Sequence, residues 1–99
     1  MKDVKSGIEN VVKKGKIVIG SKNVVSALLN DNPKLVIISS NCPTEIKEDI
    51  IYYSRLSEIP YRIIDDNSIE LGSICGKPFP IAVMAVMDVD DKDILKKLK

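Results

Sequence analysis

An α/β fold, with one sheet of about four strands layered between helices, is what this sequence predicts, and a few observations point to it. Short runs such as Ile17-Val18-Ile19 and Leu35-Val36-Ile37-Ile38 are apolar at every position, the pattern of strands covered on both faces. Between such runs, apolar residues return at helical spacing. The alternation persists through all 99 residues with no linker, repeat or low-complexity segment, so residues 1–99 are expected to form one domain in three layers.

The first helix carries Val4, Ile8, Val11 and Val12 up to Gly15, which suits a C-terminal cap. Lys16 to Gly20 follows as a strand. Ser21 is the expected N-cap of a second helix with Val24, Val25, Leu28 and Leu29 on one face, and Asn32-Pro33 ends it. Beyond the Leu35 to Ile38 strand, Pro43 suits the first position of a third helix. Its apolar stripe is Ile46, Ile50, Tyr53 and Leu56, and Pro60 marks the exit. Tyr61 to Ile64 is a short third strand. Asp65-Asp66-Asn67-Ser68 then gathers turn and cap residues ahead of a short helix within Ile69 to Gly76. The run Ile81 to Met87 is apolar throughout, as a central strand should be. Asp90 or Asp91 caps a last helix that turns Ile94, Leu95 and Leu98 inward.

With 44% apolar residues, a chain of this length can bury roughly 60 to 70% of the surface its unfolded form exposes. It needs no disulfide or metal for that. Cys42 and Cys75 stand in no metal-ligand spacing and are expected as reduced thiols. Helix capping accounts for most of the aspartates near Asp65, Asp66, Asp88, Asp90 and Asp91, which lack calcium-loop spacing. The apolar stretches are too short to span a membrane and no secretory signal is recognisable, so the expectation is a cytoplasmic protein without a membrane partner. A net charge of only +1 counts against non-specific coating of nucleic acid and requires any RNA site to be local.

Local candidates exist at three polar segments: Gly20-Ser21-Lys22-Asn23, Ser39-Ser40-Asn41-Cys42-Pro43 and Gly76-Lys77-Pro78-Phe79-Pro80. Each falls where a strand and a helix should meet, and in α/β domains binding groups collect on such loops. If the first two strands run parallel, the Gly20 and Asn41 loops lie side by side; the proline-rich segment joins them only if the last strand enters from that end. Pro78 and Pro80 stiffen the segment around Phe79, the single phenylalanine, which is expected to be exposed as a stacking platform. Asn41 serves a ligand, its own backbone ahead of Pro43, or both, since the two roles are compatible. Gly72 to Lys77 superficially resembles a phosphate loop, but it is one residue short and follows a helix.

The loops and their spacing resemble the archaeal and eukaryal large-subunit ribosomal protein thirty family, within the wider group of kink-turn RNA-binding proteins. The likeness rests on Gly20-Ser21-Lys22 opening a helix, Leu35 to Pro43 with Asn41 before the proline, Tyr52-Tyr53 followed by Leu56, and Asn67 through Gly72 leading to Gly76-Lys77-Pro78-Phe79. The resemblance implies a three-layer α/β/α sandwich with a mixed four-stranded sheet. It also implies a structural, non-enzymatic place in the large ribosomal subunit, with ribosomal RNA and other large-subunit proteins as partners, no cofactor, and a monomer when isolated. Carried onto this chain, Gly20, Ser21, Lys22 and the adjoining Asn23 meet the RNA backbone and a purine edge. Asn41, with Cys42 and Pro43 beside it, hydrogen-bonds a base, and Gly76, Lys77, Pro78 and Phe79 contact a base flipped out of the kink. Ser21-Lys22-Asn23 departs from the Asn-Glu that follows the glycine in the multi-site branch of the group, which favours the ribosomal branch.

Two other classes fit the same fold. One is a protein-interaction module, distinguished by binding that depends little on salt. The other is an enzyme using Cys42 as nucleophile at a helix N-terminus, where its pKa would fall, although no histidine is present to assist it.

Overall fold

The structure is a computed structural model that describes residues 7–9, 11–13 and 15–88. Residues 7–9 and 11–13 are helical, and the Gly15 N–H donates to the Val11 carbonyl at 2.7 Å, closing that helix where a glycine was expected to. Seven elements follow: β1 (Lys16–Ile19), α1 (Ser21–Asn30), β2 (Leu35–Ile38), α2 (Thr44–Leu56), β3 (Tyr61–Ile63), α3 (Ser68–Ile74) and β4 (Val83–Asp88). Val4 and the expected last helix with Ile94, Leu95 and Leu98 lie outside the described residues.

The four strands form one mixed sheet in the order β1-β4-β2-β3. β4 runs antiparallel to both neighbours, whereas β2 and β3 are parallel. Being antiparallel to the same strand, β1 and β2 point the same way. The register explains the unbroken apolar runs. Leu35 and Ile37 pair with Val86 and Met84 and share one face; Val36 and Ile38 pair with Ala85 and Val83 and share the other. On the first face lie Ile8 and Val11 of the N-terminal helix with Leu71 and Cys75. On the second lie Val24 and Leu28 of α1 with Ile50 of α2. Helices thus cover both sides, and β2 is buried at every residue.

Three local expectations shift. Gly20 rather than Ser21 is the N-cap of α1, with no side-chain cap bond, and Pro43 is the N-cap of α2 rather than its first helical residue. Two stripe positions face out: Leu56 is 63% exposed and Leu29 56%. At about 100° per residue, Leu56 sits some 120° around the helix from Ile50, while Ser54 and Ser57 continue the inward line. Ser57 Oγ donates to the Leu28 carbonyl at 2.8 Å and ties the C-terminal ends of α1 and α2 together.

Candidate nucleic-acid interface

The direction of β4 brings the Gly20 and Asn41 loops, and the end of the proline-rich segment that leads into β4, to one end of the sheet. β1, β2 and β3 all finish there, and β4 starts there. Direct bonds join the loops: the Gly20 N–H donates to Val83 O at 3.2 Å, the Ser39 N–H to Ala82 O at 2.8 Å, and the Ser40 N–H to Asp66 O at 2.9 Å. The condition set for the proline-rich segment is therefore met.

At the β1 corner, Gly20 has φ 98° and ψ 145°, a conformation close to glycine's exclusive territory. That geometry turns the chain from strand into helix without a capping side chain. Among the described residues, no acceptor meets the N–H groups of Ser21, Lys22 and Asn23, so α1 opens with unpaired donors beside the exposed Lys22 ammonium. Such a helix start favours an anionic oxygen. The Asn23 amide instead reaches back to the Ile19 carbonyl at 3.0 Å.

Next along the sheet end, Asn41 is exposed, but its carboxamide oxygen is engaged. It accepts from the Ser68 N–H at 2.7 Å and from the Ser39 hydroxyl at 3.2 Å. The alternative of a bond to its own turn is replaced by a bridge to α3. α3 is itself capped by Asn67, whose side chain accepts from the Glu70 N–H while Glu70 Oε1 accepts from the Asn67 N–H.

The proline-rich segment is a strap laid back along α3. Its turn begins at Gly76 (φ 72°): the Gly76 N–H donates to Ser73 O and the Lys77 N–H to Gly72 O, both at 2.9 Å, the paired bonds of a Schellman ending. The strap closes where the Ile81 N–H donates to Ser68 O at 2.9 Å. It rests on Gly72, where any Cβ would run into the Phe79 carbonyl. Lys77, Pro78 and Phe79 are all exposed, Phe79 at 48%. Gly76 and Lys77 stand beyond the C-terminal end of α3, about 10 Å along that helix from Ser68.

This chain matches the model of the ribosomal protein L7Ae/L30e/S12e/Gadd45 family over residues 2–96. The chain belongs to that family. Among similar proteins, the large ribosomal subunit protein eL30 of Methanothermobacter thermautotrophicus is 43% identical over 94 residues, covering 95% of this chain and 96% of the relative. The eL30 protein of Methanobrevibacter smithii is 40% identical over the full length of both chains. A solved structure of a Bacillus halodurans protein with unknown function superposes with a TM-score of 0.76 at 24% identity, covering 95% of this chain and 91% of that one, and so shares the fold.

Within this L7Ae/L30e-type framework, Cys42 departs from its expected role. Its side chain is 8% exposed and packs with Val24, Ile50 and Val83, and its N–H donates to Ser39 O. Burial pushes the thiol pKa up, with Lys47 offsetting this in part. The position ahead of α2 thus yields a core residue, not a thiolate, and the cysteine-nucleophile reading fails on that ground.

The Asp65-Asp66 segment adjoins the loops, because the Asp66 backbone carbonyl accepts from the Ser40 N–H. Lys22, by contrast, stands on the β1 side, three strand spacings or about 14 Å across the sheet end. One border of the surface is cationic and the other acidic. Three roles were not legible in the sequence: Ser39 and Ser68 hold Asn41, and Gly72 seats the strap. The Asn41 to Ser68 bond spans 27 residues, and no local pattern reports it.

Proposed function

We propose that this protein is a structural constituent of the large ribosomal subunit that binds ribosomal RNA at a kink-turn or similar sharply bent internal loop. The observation that carries the reading is the antiparallel entry of β4, which starts at the sheet end where β1 and β2 finish and so supports a shared surface for the Gly20, Asn41 and Phe79 segments. The eL30 relatives, which are large ribosomal subunit proteins, lend support.

In this reading the open start of α1, with Gly20, Ser21, Lys22 and Asn23, meets backbone oxygens and a purine edge. Asn41 bonds a base, with Pro43 shaping its turn. Phe79, on the strap of Gly76, Lys77 and Pro78, stacks on a base turned out of the kink. RNA is read where bases are unstacked, by aromatic platforms and polar groups. Catalysis has no part. The sandwich holds its loops preset, so binding shifts the RNA toward its bent form because only that form meets every loop at once. The isolated protein is a monomer, and it acts on the ribosome in the cytoplasm, beside other large-subunit proteins.

The test is a titration with a kink-turn RNA and a straight duplex of equal length at two salt concentrations. The expected result is a preference for the kinked RNA that survives the higher salt. Equal, weak binding to both that vanishes with salt would leave only charge attraction and sink the reading.

A further inference from the structure

The Asn41 carboxamide has a fixed polarity. A backbone N–H can only donate, so the atom 2.7 Å from the Ser68 nitrogen is the amide oxygen and the side chain cannot be turned over. The second donor to that oxygen is the hydroxyl of Ser39, a residue wholly buried at the end of β2. Two donors fill the oxygen's two lone pairs. What remains is the Nδ2 group with two hydrogens on an exposed residue, and no acceptor meets it among the described residues.

We propose that the Ser39–Asn41–Ser68 clasp makes this position a donor-only reader: it takes a ring nitrogen or keto oxygen on a base edge and rejects an edge that presents an amino group. The proposal rests on the RNA-binding reading above and adds the hydrogen-bond sense of one contact, together with two residues, Ser39 and Ser68, that position it without touching RNA. An unclasped asparagine rotates to suit either a donor or an acceptor. This one cannot rotate without setting its NH2 group against the first N–H of α3 and leaving that donor unpaired, which is costly, whereas the Ser39 hydroxyl could donate or accept and does not by itself fix the sense. Discrimination arises from the same asymmetry, since an amino edge would face two N–H bonds with no acceptor between them.

Asn41→Asp is the decisive variant, because it keeps an oxygen for both Ser68 and Ser39 while replacing the outward donor by an acceptor. The clasp itself is tested first, on the free protein, by thermal unfolding. Asn41→Asp should melt close to the parent and Asn41→Ala below it. If both variants melt equally low, the clasp is wrong and the proposal falls. Polarity is tested by titrating parent and Asn41→Asp proteins with the kink-turn RNA. The variant should bind about ten- to a hundred-fold more weakly. Raised salt screens the repulsion of the added carboxylate charge, so the ratio should shrink but stay well above unity, because the lost donor is not screened. Parent-like binding, or a ratio that collapses to unity with salt, would show that the side chain does not donate.

On the RNA side, 7-deazapurine and thioketone substitutions are walked through the loop in parallel with methylphosphonate linkages. One base substitution should weaken the parent and leave Asn41→Asp unchanged. A methylphosphonate showing that behaviour instead would move the contact to the backbone and overturn the base-edge assignment. A parent protein that ignores kinked RNA altogether defeats the underlying reading and the base contact with it, a result plainly different from loss confined to the variant.

Discussion

Replacing Gly72 by alanine sets two opposing effects against one another, and the structure says which wins. In an ordinary helix the change is favourable by about 1 kcal/mol, because alanine is the better helix former. Here the new Cβ meets the Phe79 carbonyl oxygen far inside contact distance, with the carbonyl carbon at 3.1 Å and Pro80 Cα at 3.4 Å. These are backbone atoms, so no rotamer change relieves them. The strap must retreat by about 1 Å to restore ordinary separations. It is held at both sides of the clash, by Lys77 N–H to Gly72 O and by Ile81 N–H to Ser68 O. Overpacking of this kind costs about 1–3 kcal/mol, and a weakened hydrogen bond adds about 1 kcal/mol. After the helix gain is subtracted, Gly72→Ala should destabilise the protein by about 1–3 kcal/mol. For a domain of this size that lowers the melting temperature by roughly 4–8 °C per kcal/mol. Circular dichroism melts of parent and variant measure the shift, and kinked-RNA binding should weaken as well, since Phe79 moves with the strap. A variant as stable as the parent or more so would refute the reasoning, because it would mean that helix propensity alone governs the site.

Phe79→Ala should weaken binding to kinked RNA by about 1–3 kcal/mol while leaving the melting temperature nearly unchanged, as the ring is half exposed; Lys22→Ala should instead lower the salt slope of binding by a little under one unit. Ser54 has a buried hydroxyl without a partner among the described residues, so Ser54→Ala should raise stability by about 1 kcal/mol in urea unfolding, and a loss of that size would show that the hydroxyl is satisfied in solution. Burial pushes the Cys75 thiol from 9.0 up to about 11, against the small opposing effect of Lys77. The unfolded chain then releases this proton first, so stability is full below about pH 9 and declines by about 2–3 kcal/mol as pH rises to about 11. Cys42 acts in the same direction. Denaturant midpoints across that range should fall less steeply in Cys75→Ala than in the parent, and equal slopes would exclude the thiol as the cause.

Legibility differed with the range of the interaction that mattered. Ile17 to Ile19, Leu35 to Ile38 and the run through Met84 announced strands because a doubly covered strand needs an apolar residue at every position. The Asn67 and Glu70 pairing was within reach for a related reason, since a capping box closes over three residues. Ser21 and Pro43 were displaced by one position because either residue type serves on both sides of a helix boundary, and backbone angles, not identities, decide between them. Leu29 and Leu56 were assigned inward because an apolar residue one turn along looks like part of the stripe, although the angle carries it to the solvent side.

The surface itself divides in the same way. Local chemistry, readable residue by residue, marked Gly20, Asn41 and Phe79 as loop residues with binding equipment. Whether they belong to one surface depended on the direction of β4, and strand direction is decided by pairing with residues far away in the chain. Tertiary packing also drew Cys42 into the core, locked the Asn41 amide onto Ser68, and pressed the strap against Gly72. Each of these joins segments separated in sequence, where the entropy of chain closure and the filling of a shared interior select the partner. The sequence by itself determined the elements and the chemistry available at their ends; only the folded arrangement decided which of those groups face the same ligand, and with which atoms.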